Sequence, residues 1–147
     1  MELFAANKDK VFHALNKILE HEMAGVVRYT HYSLMIIGHG RIPIVSWMRA
    51  QAQESLTHAT QAGEMITHFG EHPSLKIATL TETHKHNIDE ILTESLEHEH
   101  GALKLYRELL ALAEEANSII LEEYARNLIV EEETHIGEVE KMLKKPF

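Results

Sequence analysis

The chain has 147 residues, with 14 basic against 23 acidic side chains, a formal charge of −9, twelve histidines and no cysteine. A chain this long buries roughly two-thirds of the surface its unfolded form exposes, so it needs neither disulfide nor metal merely to fold, and one domain over residues 1–147 is expected. The missing thiols exclude disulfide frameworks, zinc ribbons, iron–sulfur clusters and cysteine nucleophiles, which leaves nitrogen and oxygen as the only metal donors. The acidic balance repels nucleic acid and anionic membranes and attracts cations.

Glycine and proline divide the chain sparingly, and the stretches between them are rich in Ala, Leu, Glu, Lys and Met, which favours helix. The first helix is expected from about Asp9 to Ile37, before Gly38 and Gly40. Pro43, a good first-turn residue, opens a second that runs to about Phe69, before Gly70 and Pro73. About sixteen residues, Gly70 to Lys85, then pass without a convincing helical pattern. A third helix covers about Asn87 to Glu114, and a fourth about Ser118 to Lys144, after a break at Ala116, Asn117 and Ser118. In the third, Ile88, Ile91, Leu92, Ser95, Ala102, Tyr106 and Leu109 recur three and four apart, a stripe that only Glu99 interrupts.

Loop lengths set the topology. The first and last links are short, so each joins an antiparallel hairpin. The middle link reaches about 50 Å at ~3.3 Å per residue, further than a helix of ~27 residues rising 1.5 Å each. A loop that long suits a crossing from one end of a bundle to the other. The expected fold is an all-α four-helix bundle, two antiparallel hairpins joined by a long crossover.

The two hairpins repeat in one register. Leu19-Glu20-His21-Glu22 recurs as Leu96-Glu97-His98-Glu99, displaced by 77 positions. The same displacement relates Tyr29 to Tyr106, Arg49 to Arg126, Glu54 to Glu131, Thr57-His58 to Thr134-His135 and Met65 to Met142. Such a pseudo-two-fold bundle brings Glu22, Glu99, His58 and His135 to a common level. Glu132 joins them, since it precedes His135 by three residues and shares its helix face. Buried carboxylates are costly unless paired or bound to metal. Carboxylate oxygen mixed with imidazole nitrogen suits iron, or manganese, better than thiolate-seeking metals.

These residues give the chain its resemblance to a known family. Glu22 with Tyr29 seven residues on, the Ser55 to His58 region, Glu99, and Glu132-Glu133-Thr134-His135 resemble the motifs of bacterioferritin-type members of the ferritin-like superfamily, and the likeness covers nearly all of the sequence. The resemblance implies a ferritin-like bundle holding two irons per chain. It makes Glu22 and Glu99 terminal carboxylate ligands, His58 and His135 imidazole ligands, and Glu132 a bridge. Tyr29 would stand beside the site as a hydrogen-bond partner and electron donor. Three departures bear on this. Ser55 stands where the helix-two bridging Glu is expected; either Glu54 substitutes for it or one iron position is weakened. Leu56 replaces the haem-binding Met, which argues against haem. The family's short fifth helix is missing, which favours a dimer or other small homo-oligomer over a 24-subunit shell.

The implied function is oxidation of Fe(II) by dioxygen or peroxide, for iron storage or detoxification. One alternative is a metal-binding or structural bundle without turnover. Another is a rubrerythrin-like peroxide reductase, which would need an external electron donor because there is no cysteine-bound iron. Met1 to Lys10 lacks an apolar run of signal-peptide length, and no apolar stretch spans a bilayer, so a soluble cytoplasmic protein is expected.

Taken singly, several of these residues have plainer readings. Glu131-Glu132-Glu133 is an acidic run of the kind that usually faces solvent, and a lone His135 would be structural; their spacing with Glu22, His58 and Glu99 favours metal. Tyr29 and Tyr106 also suit a core. His21 and His98 flank the ligand positions, as neighbours of the site or simply exposed. His68, His72, His84 and His86 lie around the crossover, where a surface metal site is the lesser reading. His13, His31, His39 and His100 are given no role, and Trp47, Met48 and Met65 are read as core or interface.

Overall fold

In the computed structural model, which describes residues 5–147, four helices account for all the regular structure: α1 (Ala5–Met35), α2 (Arg41–His68), α3 (Ile88–Glu115) and α4 (Ile119–Leu143). Residues 1–4, part of the N-terminal segment read above for targeting signals, lie outside the described residues. The first helix starts earlier than expected because nothing between Ala5 and Asp9 breaks it, alanine being the strongest helix former. Pro43 falls in the first turn of α2, where its missing N–H has no partner to lose.

Each boundary has a local cause. Asn87 caps α3 by accepting from the Glu90 amide, and Ser118 caps α4 by accepting from the Leu121 amide. At the end of α2 the amide of Glu71 donates to the Ile66 carbonyl and that of Gly70 to Thr67, with Gly70 at φ +83°. The end of α3 repeats this closure through Ser118 to Ala113 and Asn117 to Glu114, with Asn117 at φ +54°. Glycine and asparagine are the residues that tolerate this left-handed position. The guanidinium of Arg41 donates to the Ile36 carbonyl at 2.7 Å and so closes the end of α1.

The expected topology is what forms: an all-α four-helix bundle of two antiparallel hairpins joined by a long crossover. α1 packs on α2, α3 on α4, and α1 also on α3. His21 meets the carbonyl of His98, while Tyr32 donates to Glu94, so α3 runs antiparallel to α1. The crossover travels along α1 from its first turns to its last. Glu71 pairs with Lys8 at 3.1 Å, the Ser74 amide donates to Asn16, the Ala78 amide donates to the Glu20 carbonyl, and Glu82 lies 3.0 Å from His31.

The core is not continuous. One apolar cluster, around Leu15, Ile18, Ile66, Tyr106, Leu109 and Leu121, fills one end. A second, around Tyr29, Ile36, Met48, Ile91, Leu92 and Val139, fills the other. Between them lies a buried polar layer of Glu22, Ser55, His58, Ser95, His98, Glu99 and Glu132. Burying apolar side chains at both ends stabilises the bundle, whereas each charge in the layer costs several kcal/mol unless compensated.

Candidate metal centre

Helical register delivers each polar group to the core. On α1, Glu22 follows Leu15 and Ile18 by seven and four residues and precedes Tyr29 by seven. Glu99 on α3 sits between Ser95 and Ala102, and Glu132 on α4 between Leu128 and Ile136, all of them buried. On α2, Ser55 and His58 share the face of Ala52 and Ala62. These carboxylates occupy positions at which a leucine would ordinarily be found.

Glu22, Glu99 and Glu132 are 3, 4 and 2% exposed. His58 Nδ1 lies 3.3 Å from Glu22 Oε2 and 3.5 Å from Glu132 Oε1, and one ligand atom from each of the three falls within 4.8 Å of the others. Tyr29, fully buried, donates its hydroxyl to Glu99 Oε1. Among the carboxylates and imidazoles of this layer, Glu132 Oε2 and His135 Nε2 are buried without a hydrogen-bond partner. The His135 ring packs edge-on against Trp47, with centroids 5.6 Å apart.

Electrostatics follow from this burial. Desolvation pushes the Glu22 carboxyl up to about 7 against the pull of His58. Desolvation, and then the neighbouring Glu132, push Glu99 well above the carboxylate range, while His135 and Tyr29 favour its charged form. For His58 burial acts downward, but Glu132 and Glu22 together outweigh it and raise the imidazole to about 11. Without a cation, the proton on Glu99 and the positive charge on His58 reduce the net negative charge of the layer.

The predicted ligands therefore divide. Glu22, His58 and Glu132 converge, Glu99 sits between Glu132 and Tyr29, and His135 lies close enough to influence Glu99. Glu54 is half-exposed, and its Oε1 stands 3.7 Å from Nε2 of His58, the nitrogen on the other edge of the ring from Glu22 and Glu132. Glu131, read from the sequence as part of a solvated run, reaches the same nitrogen at 2.8 Å. The displacement of 77 that relates Glu54 to Glu131 is the signal that pairs them. His98 is buried, with its ring stacked on His21 at 4.1 Å. Its burial holds the imidazole down at about 2, so it is neutral.

Ser55, in place of a bridging carboxylate, is also buried, and its surroundings are tight. A methyl group on Gly25 would lie 2.7 Å from Ser55 Oγ and 2.8 Å from His98 Nε2. Gly25→Ala is expected to destabilise the fold by about 1–3 kcal/mol through overpacking, measured by denaturant unfolding. An unchanged midpoint would mean that Ser55 and His98 move aside freely.

A sequence model of the ferritin-like domain matches residues 12–146. The chain belongs to the ferritin-like family. Comparison with curated proteins gives no match. Among solved structures, this ferritin-like domain is similar to a ferritin-like, diiron-carboxylate protein from Bacillus anthracis str. Ames, at 19% identity and a TM-score of 0.90, over 96% of this chain and 100% of that one. It is similar also to the bacterioferritin of Rhodobacter capsulatus, solved with haem iron and a metal-free dinuclear site, at 27% identity and a TM-score of 0.86, over 97% and 86% of the two chains. Among the described residues of the ferritin-like chain, no helix is long and apolar enough to cross a membrane.

Proposed function

We propose that this ferritin-like bundle is a di-iron carboxylate protein that oxidises Fe(II) with dioxygen or peroxide, in iron storage or detoxification. The observation that carries the reading is the pair of buried, unpartnered atoms, Glu132 Oε2 and His135 Nε2, in a layer that also holds Glu22 and Glu99. Buried polar atoms with no hydrogen-bond partner are places for a bound cation, and oxygen mixed with imidazole nitrogen suits iron or manganese. Bound as substrate, a pair of ferrous ions supplies the electrons that reduce the oxidant.

The protein's own groups would prepare that reaction. Glu22 and Glu99 are proposed as terminal ligands, Glu132 as the bridge, and His58 and His135 as nitrogen donors. Glu131, accepting from His58 Nε2–H, would keep that proton in place when Nδ1 gives up its own, leaving the Nδ1 lone pair for a cation held between Glu22 and Glu132. Glu54 and Glu131, half-exposed on the outer edge of His58, draw cations toward the layer. Beside them opens a groove of about 950 Å³ between α2 and α4, whose lining includes Glu64 and Glu131. The Tyr29 hydroxyl orients Glu99 and stands ready as an electron donor. Cation binding would expel the protons that Glu22 and Glu99 otherwise hold. Exposed Leu34, Ile37 and Ile42, around the turn between α1 and α2, support assembly into at least a dimer.

A bundle that binds metal without turnover is the second reading, favoured by Ser55 at the bridging position. Mixing metal-free protein with Fe(II) in air separates the two. The first reading expects oxidation well above the buffer rate, with near-ultraviolet absorption of a bridged diferric pair, and oxidation at the buffer rate contradicts it. The second expects Ser55→Glu to create an activity the native chain lacks.

A further inference from the structure

The crossover carries a second set of metal-ligating side chains, which the buried layer does not use. Glu82, His84 and His86 each offer a ligand atom within 4.8 Å of the other two. His31 reaches the same place from α1. Its Nε2 lies 3.0 Å from Glu82 Oε2, and its ring centroid is 6.4 Å from that of His86, which is 6.3 Å from that of His84. The His31–Glu82 approach lacks hydrogen-bond geometry, so His31 Nε2 is shielded from solvent with no hydrogen-bond partner.

We propose that His31, Glu82, His84 and His86 form a binding site for a divalent transition metal, which clips the crossover to α1. Three imidazoles and one carboxylate are the donor set of a four-coordinate zinc-type site. With bonds of 2.0–2.1 Å, tetrahedral donors lie about 3.3 Å apart. The His31–Glu82 edge is already near that length, and rotation of the exposed His84 and half-buried His86 side chains would close the rest. The local chain is shaped for convergence. His84 sits at φ +56°, and its amide donates to Glu82 Oε1 at 2.7 Å, which folds residues 82 to 86 back on themselves. His31, Glu82 and His86 also line a cavity of about 220 Å³ between the crossover, α1 and α3, so the site has an open side. His31 follows Glu22 by nine residues, roughly 13 Å along the helix, so the site is separate from the buried layer.

The experiment is a Zn(II) titration by calorimetry, comparing native protein with the His84→Ala, His86→Ala double variant. Hydrogen exchange of the crossover amides is followed in parallel. Native protein should bind one zinc per chain that the double variant binds at least ~100-fold more weakly or not at all. Zinc should slow exchange over residues 78–87 in the native chain alone. His31→Gln, changed on α1 rather than on the crossover, should lose the same zinc. Fe(II) oxidation should be unchanged in all of these variants, which separates this site from the buried one. Equal zinc number and affinity in native and variant protein, with crossover exchange unaltered, would overturn the proposal.

Discussion

Replacing Glu99 with glutamine is expected to raise the stability of the metal-free protein while cutting Fe(II) oxidation by at least ~100-fold, beyond the cost of losing an outer-shell partner. Glutamine keeps the shape, still accepts from the Tyr29 hydroxyl and offers an amide donor to Glu132. Near neutral pH, the native chain must take up a proton at Glu99 that the unfolded chain does not hold. Each pH unit above the ordinary carboxylate value adds about 1.4 kcal/mol to that cost, so the variant should gain about 1–3 kcal/mol, or some 2–10 °C in Tm. The gain should shrink toward pH 4.5, where the unfolded carboxyl is protonated too. Thermal melts at pH 5 and 7.5, with stopped-flow oxidation assays, test both halves. A lowered Tm with activity intact would mean that Glu99 is a structural acid.

The metal-free protein should also lose stability as pH rises from about 6.5 to 8, and divalent metal should abolish that loss. The sign follows from which state holds more protons. Glu22 is raised to about 7, Glu99 well above its ordinary value, and His58 to about 11, so above pH 6.5 the folded chain holds protons that the unfolded chain releases. Their stabilisation is complete below the unfolded values and fades as pH climbs through the folded ones. Buried His98, lowered to about 2, and half-buried His21, also lowered, act oppositely. Both are protonated on unfolding below pH 6.5, which offsets the carboxylates there and leaves stability nearly flat between 4.5 and 6.5. Above 6.5 nothing offsets the fall, and a loss on the order of 2–4 kcal/mol is expected by pH 8. Bound metal replaces those protons, and its binding should release them. Melting curves across the range, with and without Zn(II), check this; stability that rises from pH 6.5 to 8 without metal would contradict it.

Much of the fold was legible because its signals are local. Gly70, Asn117, Asn87 and Ser118 mark helix ends through the backbone conformations and side-chain acceptors that ends require. The unpatterned stretch after Gly70 was long enough to span the bundle, and it does run the length of α1. Glu99 stood out as a charge inside an apolar stripe, and the repeat carried that observation to Glu22. What remained hidden depends on side-chain direction and on contacts between distant segments. Spacing does not say which nitrogen of His58 faces inward, so Glu54 and Glu131 could not be placed on the outer edge of its ring. His98 is two-sided in the sequence, adjacent to Glu99 yet beside exposed positions, and only its stacking on His21 makes it a core residue. The meeting of His31 with Glu82, His84 and His86 joins a helix to a segment with no period at all.

The central claim, that the buried layer holds a pair of irons, is tested most directly by titrating metal-free protein with Fe(II) under anaerobic conditions and counting the ions bound. Binding of two per chain in the His84→Ala, His86→Ala variant, whose crossover ligands are removed, and of fewer when Glu99→Gln is added to it, is the result predicted. Binding of none, or of a single ion unaffected by the loss of Glu99, would contradict it.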